Sequence, residues 1–117
     1  MTLSPLRFAF ASVLTVLAAT AFAATPPEQV DVFVSGRDGY HTYRIPAVIQ
    51  AKNGDLLAFC EGRKSGGGDS GDIDLLQKRS RDGGRTWSAA QVVWDDAANT
   101  CGNPCPVLDE STGTLWL

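Results

Sequence analysis

Beyond an apolar leader, short stretches of alternating apolar and polar side chains are punctuated by turn residues. "VDVFVSG" (residues 30–36) alternates with a period of two, the mark of a strand with one face buried. "IPAVIQA" and "DLLAFCE" flank Lys52-Asn53-Gly54. Asn-Gly between two such runs predicts a hairpin with a type I′ turn, which needs positive φ at both central residues. "DIDLLQKRS" predicts a third strand and "AAQVVW" a fourth, with a tight turn from Ser80 to Trp87 between them. "CPVLDESTGTLWL" predicts a further hairpin turning at Ser111-Thr112-Gly113. Little after the leader reads as helix. Short, evenly spaced strands with turn signals predict an all-β architecture. Four antiparallel strands within about 50 residues is the size of one β-propeller blade.

The leader itself, "MTLSPLRFAFASVLTVLAATAFAATPPEQ", has one positive charge at Arg7, an apolar run from Phe8 to about Ala19, and an A-x-A pattern at Ala21-Phe22-Ala23. Residues 1–23 read as a secretory signal peptide, with a mature chain of residues 24–117 working outside the cytoplasm, secreted or periplasmic. The apolar run is short for a membrane-spanning helix, so no stable insertion is expected after cleavage. "TGTLWL" stops inside an apolar strand. The chain therefore reads as the N-terminal part of a longer protein that covers this edge.

Composition narrows the partners. Of 117 residues, 44% are hydrophobic and 20% charged, as in ordinary globular proteins. The net charge of -3 and the lack of a basic stripe argue against nucleic acid. Of the three cysteines, Cys60 falls in an apolar strand and is expected to be a buried thiol. Cys101 and Cys105 flank "GNP", a spacing that a disulfide can close. It is also a weak metal pattern, but no histidine or second cysteine pair supports that reading. The odd count leaves at least one cysteine free or paired between chains.

Candidate chemistry lies in three places. "SRDGGRTW" fits S-x-D-x-G-x-T-W, the Asp-box. Asp82 can accept hydrogen bonds from turn amides, Ser80 opens the turn, and Gly84 supplies a backbone angle other residues resist. Thr86 suits a following strand, and Trp87 can pack under the turn. These are staples of a hairpin. Arg44 precedes the first hairpin strand and Arg63 follows the second, at the same end. The loop after Arg63, "KSGGGDSGDID", offers Asp69, Asp72 and Asp74. Asp74 alternates with apolar Ile73 and Leu75 and belongs to the strand. A D-x-x-D-x-D run also offers oxygens to calcium, without full EF-hand spacing. No Gly-Lys-Ser/Thr follows, so this is not a phosphate loop.

"YRIP", "EGR", the Asp-box and "GNPCPVLDESTGTLWL", in this order, resemble the sialidases (neuraminidases), over roughly residues 30–117. The resemblance implies a six-bladed β-propeller, of which this chain holds about the first one to two blades. It implies hydrolysis of terminal sialic acids from glycoproteins, glycolipids and oligosaccharides. No cofactor and no metal are expected. Sialic acid carries a carboxylate on its anomeric carbon, and arginine matches it with fixed charge and a planar fork. By the resemblance, Arg44 is one of three clamp arginines. Arg63 is a further pocket arginine near the ring hydroxyls and the acid; a strand-end pairing with Glu61 or a loop aspartate stays open. Asp69 is the expected general acid, with Asp72 as runner-up. Asn103 in "GNPCP" is a substrate-contact candidate, or simply a turn residue before proline. An anionic nucleophile would be repelled at such a centre, and the family uses a tyrosine with a glutamate base, in a retaining mechanism. Neither partner is assigned here: Tyr40 and Tyr43 come too early in the chain, and His41 is given no catalytic role. The rival reading is a propeller that binds sialic acid, or sits at the cell surface, without catalysis. A non-sialidase Asp-box hydrolase is disfavoured by "YRIP".

Overall fold

The computed structural model describes residues 26–117, so the leader lies outside the described residues. The architecture is all-β. β1 (Thr42–Gln50), β2 (Leu56–Arg63), β3 (Ile73–Ser80) and β4 (Gln91–Trp94) form one antiparallel sheet in the order β1-β2-β3-β4. This meander is the plan of a propeller blade. β5 (Val107–Asp109) and β6 (Thr114–Trp116) form a separate hairpin.

The core sits on the two inner strands. β2 is buried from Leu57 through Arg63, with Phe59 and Cys60 almost fully enclosed, and β3 adds Ile73 and Leu76. An inner strand covered on both faces reads as a near-continuous apolar run, which is what "LLAFC" is. β4 is exposed along its length, and Val48 on β1 is 60% exposed.

Two expectations are corrected, and the pairing left open for Cys101 and Cys105 is answered. First, residues 30–36 form bends and a turn, not a strand. Their alternation serves ring packing instead: Phe33 lies 5.3 Å from Tyr43 between ring centroids, with Lys78 Nζ 5.1 Å over the Phe33 ring. Gly36 then turns the chain at φ 81° and donates its N–H to Tyr40 O at 3.0 Å. Second, the hairpin turn is not type I′. Gly54 is at φ 90° while Asn53 keeps an ordinary angle. Gly54 N–H donates to Ala51 O and Ala51 N–H to Asp55 O, so one left-handed glycine closes a longer turn. Asn53 contributes through its side chain, accepting the Asp55 N–H at 3.1 Å. Cys101 and Cys105 are not bridged: Cys60 and Cys101 are buried thiols and Cys105 an exposed one.

The Asp-box turn is held by side chains. Asp82 accepts the Thr86 N–H at 2.9 Å and the Thr86 hydroxyl at 2.6 Å; Ser80 Oγ donates to Asp82 at 2.8 Å and accepts the Gly84 N–H at 2.8 Å. Trp87 Nε1 donates to Gly84 O at 3.0 Å. Thr86 therefore answers Asp82 inside the turn and does not open a strand, since β4 begins only at Gln91.

Candidate functional site

The β1–β2 pairing sets the geometry. Arg44 pairs with Glu61 and Thr42 with Arg63, so both arginines stand at the hairpin end opposite the Asn53-Gly54 turn. They lie within the strands, and not just outside them as the sequence pattern suggested. Immediately after Arg44 the ladder slips. Ile45 and Pro46 oppose Cys60 alone before Ala47 resumes pairing with Phe59. This is a β-bulge, a device that bends a strand and re-aims a neighbouring side chain. Its first residue, Ile45, is at φ 54°. A β-branched residue is rarely left-handed, and one before proline is further restricted. Backbone strain is thus stored next to Arg44.

Asp69 closes the pair. Its Oδ1 lies 2.9 Å from Arg44 Nη1 and 2.8 Å from Arg63 Nη1. Its side chain is 82% exposed, so the carboxylate is open to solvent while fixed by two guanidinium groups. The Arg63 hydrogen bond, and the charges of Arg44 and Arg63, hold its pKa below the usual carboxylate range. The same Arg63 nitrogen donates to Gly67 O and Gly68 O, each at 2.7 Å, which shapes the glycine loop around the arginine. That loop is tied at its far end by Lys64 N–H to Asp72 O and by Gly71 N–H to Thr100 Oγ1.

Arg63 is itself buried and fixed from behind. Its Nε and Nη2 both donate to Glu61 Oε2, at 3.0 and 2.6 Å, and Glu61 is equally buried. Both partnerships left open by the sequence, with Glu61 and with a loop aspartate, are therefore made. Glu61 Oε1 accepts the Asn103 N–H at 3.0 Å. Asn103 sits at φ 55°, a conformation asparagine tolerates better than most side chains, and it is exposed. It joins the Arg44–Arg63–Asp69 group through its backbone.

Asp72 and Asp74 belong to a second cluster. Lys64 Nζ lies 2.8 Å from Asp72, 3.2 Å from Asp74 and 3.5 Å from Asp95. Tyr40 donates its phenol O–H to Asp74 at 2.6 Å. These three carboxylates are the described acidic groups close enough to share an ion, and Asp69 is not among them, so D-x-x-D-x-D does not fold into one calcium loop. The Lys64 ammonium supplies the positive charge the cluster needs, and the Asp72 contact raises its pKa above the ordinary lysine value. Tyr43 donates to Arg37 O at 2.9 Å, and burial pushes its pKa up to about 12. His41 is exposed beside Thr42.

Sequence reasoning missed two features. Glu61 entered only as a possible ion-pair partner for Arg63, although a carboxylate within the buried run "LAFCEGR" signals an internal counter-charge. The Ile45 bulge left no sequence signal beyond the proline after it.

No family profile matches the chain. Individual relatives do. It is 40% identical over 110 residues to the sialidase of Micromonospora viridifaciens, covering 84% of this chain and 17% of that protein. It is 39% identical over 85 residues to an exo-alpha-sialidase of Arthroderma benhamiae, covering 68% of this chain and 21% of that protein. The chain belongs to the sialidase family. Human Sialidase-4 matches at 35% identity over 95 residues, 78% of this chain and 19% of its own length. The chain thus spans about a fifth of the length of the sialidases it matches. In this sialidase chain the aligned segment takes in the hairpin with both arginines and the loop bearing Asp69.

Proposed function

We propose that the full-length protein carrying this chain is an exo-α-sialidase, secreted or periplasmic, with a six-bladed propeller. It releases terminal sialic acids from glycoconjugates with retention at the anomeric carbon. One observation carries the reading: Arg44 and Arg63 together hold a single solvent-open carboxylate, at 2.9 and 2.8 Å. An exposed guanidinium, Arg44, whose partner is a solvent-open carboxylate is what a sugar acid needs for binding, and Arg63 holds the candidate acid beside it.

The carboxylate between these arginines is the protein's own Asp69. An incoming substrate carboxylate takes Arg44, and Asp69 gives up that contact. Asp69 then has one guanidinium partner fewer and a new anion nearby, and both changes raise its pKa. A carboxyl that is ionised in the free site becomes able to hold a proton. Protonated Asp69 donates to the glycosidic oxygen as the C–O bond breaks. Arg63, anchored by Glu61, keeps Asp69 at the site while Arg44 changes partner.

The test is hydrolysis of an aryl sialoside and of a sialyl-galactoside by the full-length protein, with the anomer first released read by NMR. Release of the α-anomer supports the reading. Saturable sialoside binding without turnover would identify a binding module instead, and neither binding nor turnover would remove sialic acid as the ligand.

A further inference from the structure

The geometry points to Glu61 as the positioning residue that indexes both loops of the site, the Asp69 loop through Arg63 and the Asn103 loop through a backbone N–H. This rests on the sialidase reading for its catalytic consequence, while its structural content stands on contacts alone.

Glu61 divides its carboxylate between two loops. Oε2 accepts from Nε and Nη2 of Arg63, which leaves Nη1 to hold Gly67 O, Gly68 O and Asp69. Oε1 accepts from the Asn103 N–H, in the segment that leads to β5. The two loops are far apart in sequence; Thr100 meets Gly71 at their outer ends, and Glu61 joins them at the site end, where Arg63 and Asn103 lie. That side chain is locked: Glu61 is 3% exposed, on an inner strand, paired across to Arg44 on one side and Leu75 on the other. A buried carboxylate with both oxygens engaged is held rigidly, and removing a partner would leave a buried charge unpaired.

The fit leaves no slack. A Cβ added to Gly102 would overlap Glu61 Oε1. The Asn103 loop therefore approaches Glu61 as closely as a backbone without a side chain permits. Nor can glutamine replace glutamate. Every group facing the Glu61 carboxylate is a donor, and an amide offers one acceptor oxygen and one NH₂. Whichever way the amide is turned, its NH₂ meets a donor, either Arg63 or the Asn103 N–H.

Two variants of the full-length protein, Glu61→Gln and Gly102→Ala, test this by hydrogen exchange mass spectrometry and by kinetics. In Gly102→Ala the change is made on one loop. Faster exchange is expected on both, at the hydrogen-bonded amides of Lys64 and Gly71 as well as of Cys101 and Asn103, with Thr86 of the Asp-box unchanged. Loosening confined to Cys101 and Asn103 overturns the indexing. In Glu61→Gln, kcat on a sialyl-galactoside should fall about 10- to 100-fold, within the usual worth of a positioned acid. The loss on an aryl sialoside, whose leaving group needs no proton, should be several-fold smaller. A structural role alone would reduce both substrates equally, and equal loss overturns the positioning role. If Glu61→Gln does not fold, Gly102→Ala must show the same leaving-group contrast, and its absence there counts against the proposal. If wild type turns over neither substrate, the sialidase reading fails, and the exchange result still decides whether Glu61 couples the loops.

Discussion

Arg44 and Asp69 face each other at 2.9 Å, one on a strand beside a strained bulge and the other on a glycine loop. Both side chains are substantially exposed, 48% and 82%. Exposed pairs of this kind contribute little to stability. A strained backbone and a glycine loop therefore meet here for little return in stability.

Arg44→Lys keeps the charge and loses the fork. The expected loss in kcat/KM on an aryl sialoside is about 30- to 1,000-fold, or roughly 2–4 kcal/mol, in the range for truncating one partner of a hydrogen-bonded charge pair. Thermal stability should hardly change, since the wild-type partner is a solvent-exposed aspartate. Near-normal turnover would remove Arg44 from the carboxylate site.

Ile45 offers a test of strain. At an ordinary strand position glycine is worse than alanine by about 0.5–1 kcal/mol. At φ 54° the order should reverse, because a Cβ in the left-handed region costs roughly 1–2 kcal/mol. Ile45→Gly should therefore melt a few degrees above Ile45→Ala, as the two variants differ only in that Cβ. Alanine melting higher would mean that Ile45 is not held left-handed in solution.

Asp82 is expected to matter for folding and not for chemistry. The Thr86 hydroxyl, the Thr86 N–H and Ser80 lower its pKa from 3.8 to about 2. A carboxyl depressed in the folded state stabilises above its unfolded pKa, and that contribution is lost as pH falls through the folded value. The melting-temperature gap between wild type and Asp82→Ala should thus be full at pH 6 and close between about pH 4 and 2. Surviving Asp82→Ala enzyme should keep its kinetic constants. A gap that persists at pH 2 would show that the charge is not what holds the turn.

Legibility followed locality. The strands and the Asp-box could be read because alternation, Gly84 and the Ser80–Asp82–Thr86 spacing act over a few residues. The failures came where tertiary contacts decide. Residues 30–36 alternate like a strand, yet Phe33 spends its apolar face on Tyr43. Asn53-Gly54 marks a turn, but the register of β1 on β2 selects its type. Alternation with Ile73 and Leu75 already assigns Asp74 to the strand, but the fold alone shows the partners, sending Asp69 to the arginines and Asp72 and Asp74 to Lys64. Glu61 stayed hidden because one of its partners, Asn103, lies on a distant loop.

Asp69 as general acid makes two linked predictions. An acid matters most when the leaving group is poor. Asp69→Ala should cost about 10²–10⁴-fold on a sialyl-galactoside, the usual worth of general acid–base catalysis, and much less on an aryl sialoside. Asp72→Ala should show no such contrast, since Asp72 is paired with Lys64. The second prediction concerns pH. Arg44 and Arg63 are the charged groups facing Asp69, and both lower its pKa in the free site. Substrate removes the Arg44 contact and adds a negative charge, so the acid should titrate higher in the complex. The kcat profile reports the complex and kcat/KM the free enzyme. The high-pH limb assigned to Asp69 should therefore lie at higher pH in kcat than in kcat/KM, and it should flatten in Asp69→Ala on the aryl substrate. Coincident limbs would mean that Asp69 keeps both arginines through catalysis, so that substrate does not displace it. Equal losses on the two substrates would assign Asp69 to binding or loop structure, and a contrast at Asp72 would move the acid there.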